Sequence, residues 1–189
     1  LALADRLRDG AADAIAELKD MKIDSVMLTG DNASVAESVA GTLGITQCCH
    51  SLLPEQKLEK IESMKADGRK VCMVGDGVND APALALADTS VAMGALGSDA
   101  AIETAEVALM TSDIKKLPLL VRLGRRALTT IKINIILSMT INVCSVVLST
   151  LGLLNPITGA LVHNVSSVLV VLHSSLLLAY KGNKKKTEK

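Results

Sequence analysis

The residues best suited to chemistry lie in one stretch, Val71 to Pro82, which reads V-C-M-V-G-D-G-V-N-D-A-P. It places two carboxylates, Asp76 and Asp80, beside the amide of Asn79. Carboxylate oxygens are hard ligands suited to Mg²⁺, which in turn bridges phosphate oxygens. A second polar loop, Thr29-Gly30-Asp31-Asn32, joins a hydroxyl to a glycine N–H at the start of a predicted helix, a favourable place for phosphate. Asp31 would cap that helix or meet a nucleotide; alone, the tetrapeptide reads as an N-capping turn. Far along the chain His163-Asn164 sits inside an apolar run. Imidazole suits Zn, Co, Ni or Cu, and an amide oxygen suits harder ions. His173 lies about 15 Å further along if the run is helical, nearer its end, and is the lesser choice. Cys48-Cys49-His50 offers soft ligands, but adjacent cysteines close poorly on one ion, so a short strand and loop is the preferred reading.

These residues need a scaffold, and the pattern of apolar runs supplies one. Val71 to Val74 is a short buried strand that ends at Gly75-Asp76-Gly77, where glycine permits a tight turn and close approach of the backbone. Asn79 and Asp80 then enter a short helix over Ala81–Ala87, with Pro82 in its first turn. Upstream, Leu1–Ala4 reads as a strand, Ala11–Lys22 as an amphipathic helix, Ser25–Leu28 as a strand and Ser34–Leu43 as a helix. Pro54 opens a helix running to Asp67, with Glu55 in its first turn and Lys57 one turn in. Downstream come a strand at Ser90–Met93, a helix at Ser98–Thr104 and a strand at Val107–Met110. This alternation predicts an α/β domain, a doubly wound parallel sheet over residues 1–112. Ligands of such sheets bind at the carboxyl ends of the strands, where both polar loops fall.

The last third differs. Residues 113–132 read as an amphipathic connecting helix on the cytosolic side, basic toward its end at Arg122, Arg125 and Arg126. Two apolar spans follow, 133–154 and 157–180, each long enough to cross ~30 Å of hydrocarbon. Asn155-Pro156 turns between them, and 181–189 is a basic tail. Lysines and arginines flank both outer ends, which places both ends in the cytosol. Polar groups inside such spans are costly and face a partner helix or a pathway, so Asn134, Asn142, His163, Asn164 and Ser167 are candidate ligands for a transported ion. The chain of 189 residues is 49% hydrophobic with no net formal charge, so no basic surface argues for nucleic acid as a partner. Its four cysteines show no metal-ligand or disulfide spacing and read as reduced thiols.

Gly75-Asp76-Gly77-Val78-Asn79-Asp80-Ala81-Pro82 resembles the hinge motif of the P-type ATPases, a branch of the haloacid dehalogenase-like phosphotransferases. Thr29-Gly30-Asp31-Asn32 is similar to the T-G-D-N of the same pumps, and Pro54-Glu55-Gln56-Lys57 to their P-x-x-K. The pair of apolar spans resembles the last two membrane helices of the heavy-metal subfamily. The resemblance covers essentially the whole chain and implies the C-terminal part of an ATP-driven heavy-metal cation exporter with an aspartyl-phosphate intermediate. It implies Mg²⁺ held by Asp76 and Asp80, and a phosphoryl group contacted by Thr29, Gly30, Lys57 and Asn79, with Asp31 in the same loop. ATP would be bound mainly by parts outside this chain. The implied setting is multi-pass in the plasma membrane, the bacterial inner membrane, with the lipid bilayer and the other pump domains as partners. Asn134 and Asn142 keep an Asn spacing of the copper pumps, but Ile141 and His163 stand where those have Tyr and Met. That points away from Cu⁺ and toward a divalent transition ion. The phosphorylated D-K-T-G-T loop is absent, so the chain alone is expected to be inactive. The other reading is a free-standing, membrane-anchored fragment that binds or regulates a partner pump.

Overall fold

The computed structural model describes residues 7–75, 78–94 and 103–180. The chain divides into two compact units, Leu1–Pro118 and Leu119–Lys189.

The first unit is a parallel α/β domain. Its elements run α1 (Ala11–Asp20), β1 (Val26–Leu28), α2 (Ala33–Leu43), β2 (Gln47–Cys49), α3 (Pro54–Ala66) and β3 (Cys72–Gly75). A 3₁₀ turn (Val78–Asp80), α4 (Ala81–Leu86), β4 (Thr89–Met93) and β5 (Val107–Leu109) follow. The strands form two hydrogen-bonded groups, β1 with β2 and β3-β4-β5, every pair parallel. One continuous sheet was expected; the strands are only three to five residues long, and no ladder joins the two groups among the described residues. The expected Leu1–Ala4 strand lies outside the described residues, as does most of the expected Ser98–Thr104 helix.

Sequence explains these elements. Alanine, the best helix former, dominates α1 and α2, and its small side chain lets Ala11, Ala14, Ala36 and Ala40 bury fully. Gly44, at φ 70°, ends α2 in the left-handed conformation that glycine adopts without steric cost. Strand β4 lies between two neighbours and is buried from Ser90 to Met93, which is why its sequence runs apolar without alternation. The one hydroxyl there, Ser90, accepts a hydrogen bond from the Glu106 N–H at 3.1 Å. Ile61 and Met64 of α3 and Leu84 of α4 close the core; fully burying one such side chain contributes about 1.5–3 kcal/mol.

The second unit is a helical hairpin. Helix α5 (Lys116–Thr150) runs without interruption, so the connecting helix and first span expected as separate segments are one element of 35 residues. Nothing in 116–150 breaks it: Pro118 lies in its first turn and Gly124 is tolerated. It starts in the first unit, where Leu117 and Pro118 are buried. Helix α6 (Pro156–Ser175) begins at Asn155, whose Oδ1 accepts from the Thr158 N–H at 2.9 Å, and a 3₁₀ turn (Leu176–Ala179) finishes it. The first span therefore ends at Thr150 rather than 154, and the second changes helix type before 180. Both helices are long and apolar enough to cross a membrane. Isoleucine, valine and leucine side chains such as Ile136, Val146, Leu161 and Val171 are exposed along them. The less exposed positions trace one stripe per helix: Thr130, Asn134, Ser138, Ile141 and Ser145 on α5, and Ser166, Val170, His173 and Ser174 on α6, continued by Leu177 in the 3₁₀ turn.

Candidate functional site

Three polar segments follow the carboxyl ends of β1, β2 and β3. After β1, Thr29-Gly30-Asp31 folds back on itself. The Thr29 hydroxyl donates to Asp31 Oδ2 at 2.7 Å, and the Asp31 N–H donates to Thr29 Oγ1 at 3.1 Å. Asp31 does not cap α2; Asn32 does, its Oδ1 accepting from the Val35 N–H at 3.0 Å. A carboxylate occupied by the preceding hydroxyl leaves the capping position to the next amide. Gly30, where phosphate contact was expected, is exposed.

The loop is tied to the segment entering α3. The Thr29 N–H donates to Cys49 O at 3.0 Å, Leu52 N–H to Thr29 O at 3.0 Å, and Ser51 N–H to Asp31 O at 2.7 Å. Ser51 takes a positive φ of 55° to make this link. Helix α3 then starts at Pro54, with the Leu53 N–H donating to Gln56 Oε1 at 2.8 Å. These bonds fix where Lys57 emerges.

Lys57 reaches the third segment. Its Nζ lies 3.0 Å from Asp80 Oδ1, with the two side chains only 20% and 17% exposed. Gly75 sets the other side of Asp80. A Cβ built on Gly75 would stand 2.9 Å from Asp80 Cβ and 3.0 Å from its Oδ2. Glycine is required at 75 for close approach, and the approaching group is the Asp80 side chain. Asn79 is exposed in the 3₁₀ turn beside it. Asp76 and Gly77 lie outside the described residues. The structure thus brings Lys57 and Asp80 into contact and ties the Thr29 loop to the entry of the same helix α3.

Asp88, which sequence reasoning passed over, braces this region from below. Its Oδ2 accepts from the Val71 N–H at 3.0 Å, its Oδ1 from Lys70 Nζ at 3.1 Å, and its own N–H donates to Val71 O at 3.0 Å. The Val71 hydrogen bond first, and Lys70 second, hold its carboxyl below the ordinary aspartate range. Only the exchange between the starts of β3 and β4 reveals the role, and no local motif signals it. Cys48-Cys49-His50 forms the end of β2 and the loop after it, as the strand reading expects. Among the described residues no group of three His, Cys, Asp or Glu side chains is placed to hold a metal.

In the hairpin the expected ion ligands divide. His163, Asn164, Ser167 and Asn142 are exposed on their helices. The Ser166 and Ser167 hydroxyls donate to the His163 carbonyl at 2.7 and 3.0 Å, so they serve the backbone of α6. Asn134 is only 8% exposed and pairs elsewhere. Its Nδ2 donates to Ser174 Oγ at 2.8 Å, and its Oδ1 lies 2.7 Å from His173 Nδ1. The histidine judged the lesser choice from position alone is the one the hairpin brings to Asn134. Beyond it, the Arg126 guanidinium lies 4.8 Å from the centroid of the Tyr180 ring.

Residues 1–88 match the haloacid dehalogenase-like hydrolase family. The chain is 42% identical over 182 residues to a zinc-exporting P-type ATPase of Mycobacterium marinum, covering 96% of this chain and 25% of that protein. The identity and coverage are the same for a manganese-exporting P-type ATPase of Mycobacterium tuberculosis. A crystal structure of a zinc-transporting PIB-type ATPase in its E2·Pi state aligns with 92% of the chain and 28% of its own, at a TM-score of 0.86 and 36% identity. The chain therefore spans about a quarter of the length of the curated relatives it matches.

Proposed function

Since the chain carries a haloacid dehalogenase-like domain and matches a portion of the heavy-metal P-type ATPases, we propose that it is the C-terminal part of an ATP-driven exporter of a divalent transition ion. The observation that carries this reading is the Lys57–Asp80 pair, held in the same region as the Thr29 loop through the entry to α3. In that arrangement Lys57 supplies a point positive charge for a phosphoryl group, which phosphoryl transfer needs as charge builds on the equatorial oxygens. Asp80 balances the ammonium. Arrival of the phosphoryl group gives Lys57 a second anionic partner, so the pair senses phosphorylation through shared charge.

The donor set suits Mg²⁺. Asp80 gives Oδ1 to Lys57 and keeps Oδ2 as a hard oxygen, and Asp76 adds a second carboxylate in the same loop. Bound there, Mg²⁺ would neutralise phosphate charge. Thr29, Gly30 and Asn79 would hydrogen-bond the phosphoryl oxygens, with Asp31 orienting the Thr29 hydroxyl through the 2.7 Å bond between them. The nucleophilic aspartate and most of the ATP site belong to other parts of the pump. The apolar surface of α5 and α6 is covered by bilayer and neighbouring helices, with the α/β domain and the C-terminal end on the cytosolic side. His163 and Asn164, with Ser167 and Asn142, are the proposed transport ligands; Asn134, grouped with them from sequence, is taken up by Ser174 and His173. Imidazole without thioether or thiolate favours Zn²⁺, Mn²⁺ or Co²⁺ over Cu⁺.

The test is phosphoenzyme formation by the complete polypeptide. An acid-stable phosphoprotein made from ATP only when Zn²⁺, Mn²⁺ or Co²⁺ is present is expected, and no such dependence would sink the proposal. His163→Ala is expected to abolish metal-stimulated phosphorylation while leaving phosphorylation by inorganic phosphate intact. Unchanged metal dependence in that variant removes His163 from the site.

A further inference from the structure

We infer that Nε2 of His173 is a ligand for a divalent transition-metal ion, at a position separate from His163 and held ready by Asn134. The inference rests on the metal-pump reading above and names a second contact on the ion's route.

The argument starts with protons. The Asn134 amide is spent at both ends, Nδ2 donating to Ser174 and Oδ1 facing His173 Nδ1 at 2.7 Å. An amide oxygen only accepts hydrogen bonds, so the proton between them sits on Nδ1. A neutral imidazole protonated on Nδ1 carries its lone pair on Nε2. This is how metal-binding histidines are prepared: the second ring nitrogen donates to an oxygen, which fixes the tautomer and the ring plane and raises the basicity of the ligating nitrogen. Asn134 is well placed to do this because it is itself buried in the seam between the helices.

The polar neighbours on the facing helix are neutral. Thr130, 8% exposed, and Ser138, half-buried, lie one turn to either side of Asn134 on the same stripe of α5. One imidazole with neutral oxygens suits Zn²⁺, Co²⁺ or Mn²⁺ and gives Cu⁺ no soft partner. No carboxylate or thiolate adds charge, so binding is weak and release easy, as a transit position requires. Its depth fits that role. His173 lies 17 residues beyond Pro156, about 25 Å along the helix from the hairpin turn, against a hydrocarbon thickness of ~30 Å. Arg126 and Tyr180, side-chain types that settle at membrane–water boundaries, pack together just beyond it. The imidazole therefore stands at the mouth where an ion leaves water, on the end of the hairpin from which α5 starts and α6 finishes.

The experiment uses the full chain in detergent micelles with ¹⁵N-labelled histidine. Long-range ¹H–¹⁵N correlation is expected to show His173 protonated on Nδ1. Added Zn²⁺ should shift its Nε2 resonance, and Co²⁺ should broaden it. Asn134→Leu is expected to release the tautomer and weaken Zn²⁺ binding at His173 by about 10–100-fold. His173→Asn keeps an amide partner for Asn134, so helicity should persist while this metal response disappears. A proton on Nε2, or Zn²⁺ binding unchanged in His173→Asn, overturns the inference. The complete pump separates the two readings. ATP hydrolysis independent of metal defeats the pump reading, whereas metal-stimulated hydrolysis with an unaltered metal KM in His173→Asn defeats the His173 assignment alone.

Discussion

Gly75→Ala isolates the geometry of the phosphate-side loop. Gly75 does not use a positive φ, so alanine is compatible with its backbone and the whole effect comes from the added methyl. That methyl would stand 2.9 Å from Asp80 Cβ, 3.0 Å from Oδ2 and 3.3 Å from Cγ. Carbon atoms in contact prefer about 3.5–4.0 Å, so a shift approaching 1 Å is needed. Asp80 Cβ is one bond from the main chain and cannot swing away, and the carboxylate is held by Lys57 at 3.0 Å. Overpacking of this kind costs about 1–3 kcal/mol. Weakening a hydrogen bond to a charged group adds up to ~1.5–3 kcal/mol if Lys57 loses contact completely. Thermal unfolding of the full chain, followed by far-ultraviolet circular dichroism, should show the lower part of this range. Gly124→Ala is the control: nothing lies within 4 Å of its added Cβ, and helix propensity predicts a gain of up to about 1 kcal/mol. The decisive measurement is a double-mutant cycle with Asp80→Gly, which removes every atom the new methyl meets. The coupling energy should then be of opposite sign to the Gly75→Ala loss and at least about 1 kcal/mol. Additivity within about 0.5 kcal/mol would refute the claim that Gly75 is glycine because of Asp80.

Three other outcomes follow from contacts described above. Asn32→Ala should destabilise the chain by about 1 kcal/mol through loss of the α2 cap, and Asp31→Ala should leave α2 capped, both read by denaturant midpoint. Equal losses in the two variants would return the cap to Asp31. Asp88 has a carboxyl depressed in the folded state, so its contribution is complete above the unfolded aspartate pKa and is lost as pH falls through the folded value. Asp88→Asn should flatten the acid side of the stability profile below about pH 5, and a superimposable profile would count against the Val71 bond as its cause. Inserting one alanine after Gly124 should turn the later part of α5 by about 100° relative to its start, and in the complete pump ATP hydrolysis should no longer drive transport. Coupled transport in that variant would argue against α5 as a rigid link.

The legible parts of this chain are those where a local pattern has a single physical meaning. Pro54 with Glu55 marks a helix start and the two long apolar runs a hairpin, and the structure has both; the strand expected at Val71–Val74 is there as Cys72–Gly75, but half-buried, with Cys72 exposed. Lys57 and Asp80 were nameable from their motifs, but their 3.0 Å contact spans 23 positions of sequence and depends on how α3 leaves β2. The misplaced cap shows a different limit. Asp31 and Asn32 are both good capping residues, and the choice between them rests on the Thr29 hydroxyl, which takes the first carboxylate it meets. Asp88 was invisible because its partner, the Val71 N–H, immediately precedes β3, which must first be paired with β4.

The membrane histidines carry the same lesson furthest. In the sequence, His163 with Asn164 looks richer in ligands than His173 with its serines, because neighbours along the chain are all that can be counted. Adjacent residues on a helix point about 100° apart, so Asn164 does not stand beside His163 on one face. Antiparallel pairing of α5 with α6 instead brings together positions whose numbers sum to nearly the same value: Arg126 with Tyr180, Asn134 with His173 and Ser174. Carried down the hairpin, that register sets Asn142 near the level of Ser166 and puts His163 opposite the stretch around Ser145, about ten residues, or about 15 Å, from the level of Asn134 and His173. Asn134 and His163 therefore cannot share one ion, and the five residues grouped from sequence separate into two levels. An ion passing along this hairpin would meet His173 first from the Arg126 end and the His163 level afterwards. A metal-stimulated pump in which His163→Ala blocks phosphorylation while His173→Asn raises only the metal concentration required is the pattern that this order demands.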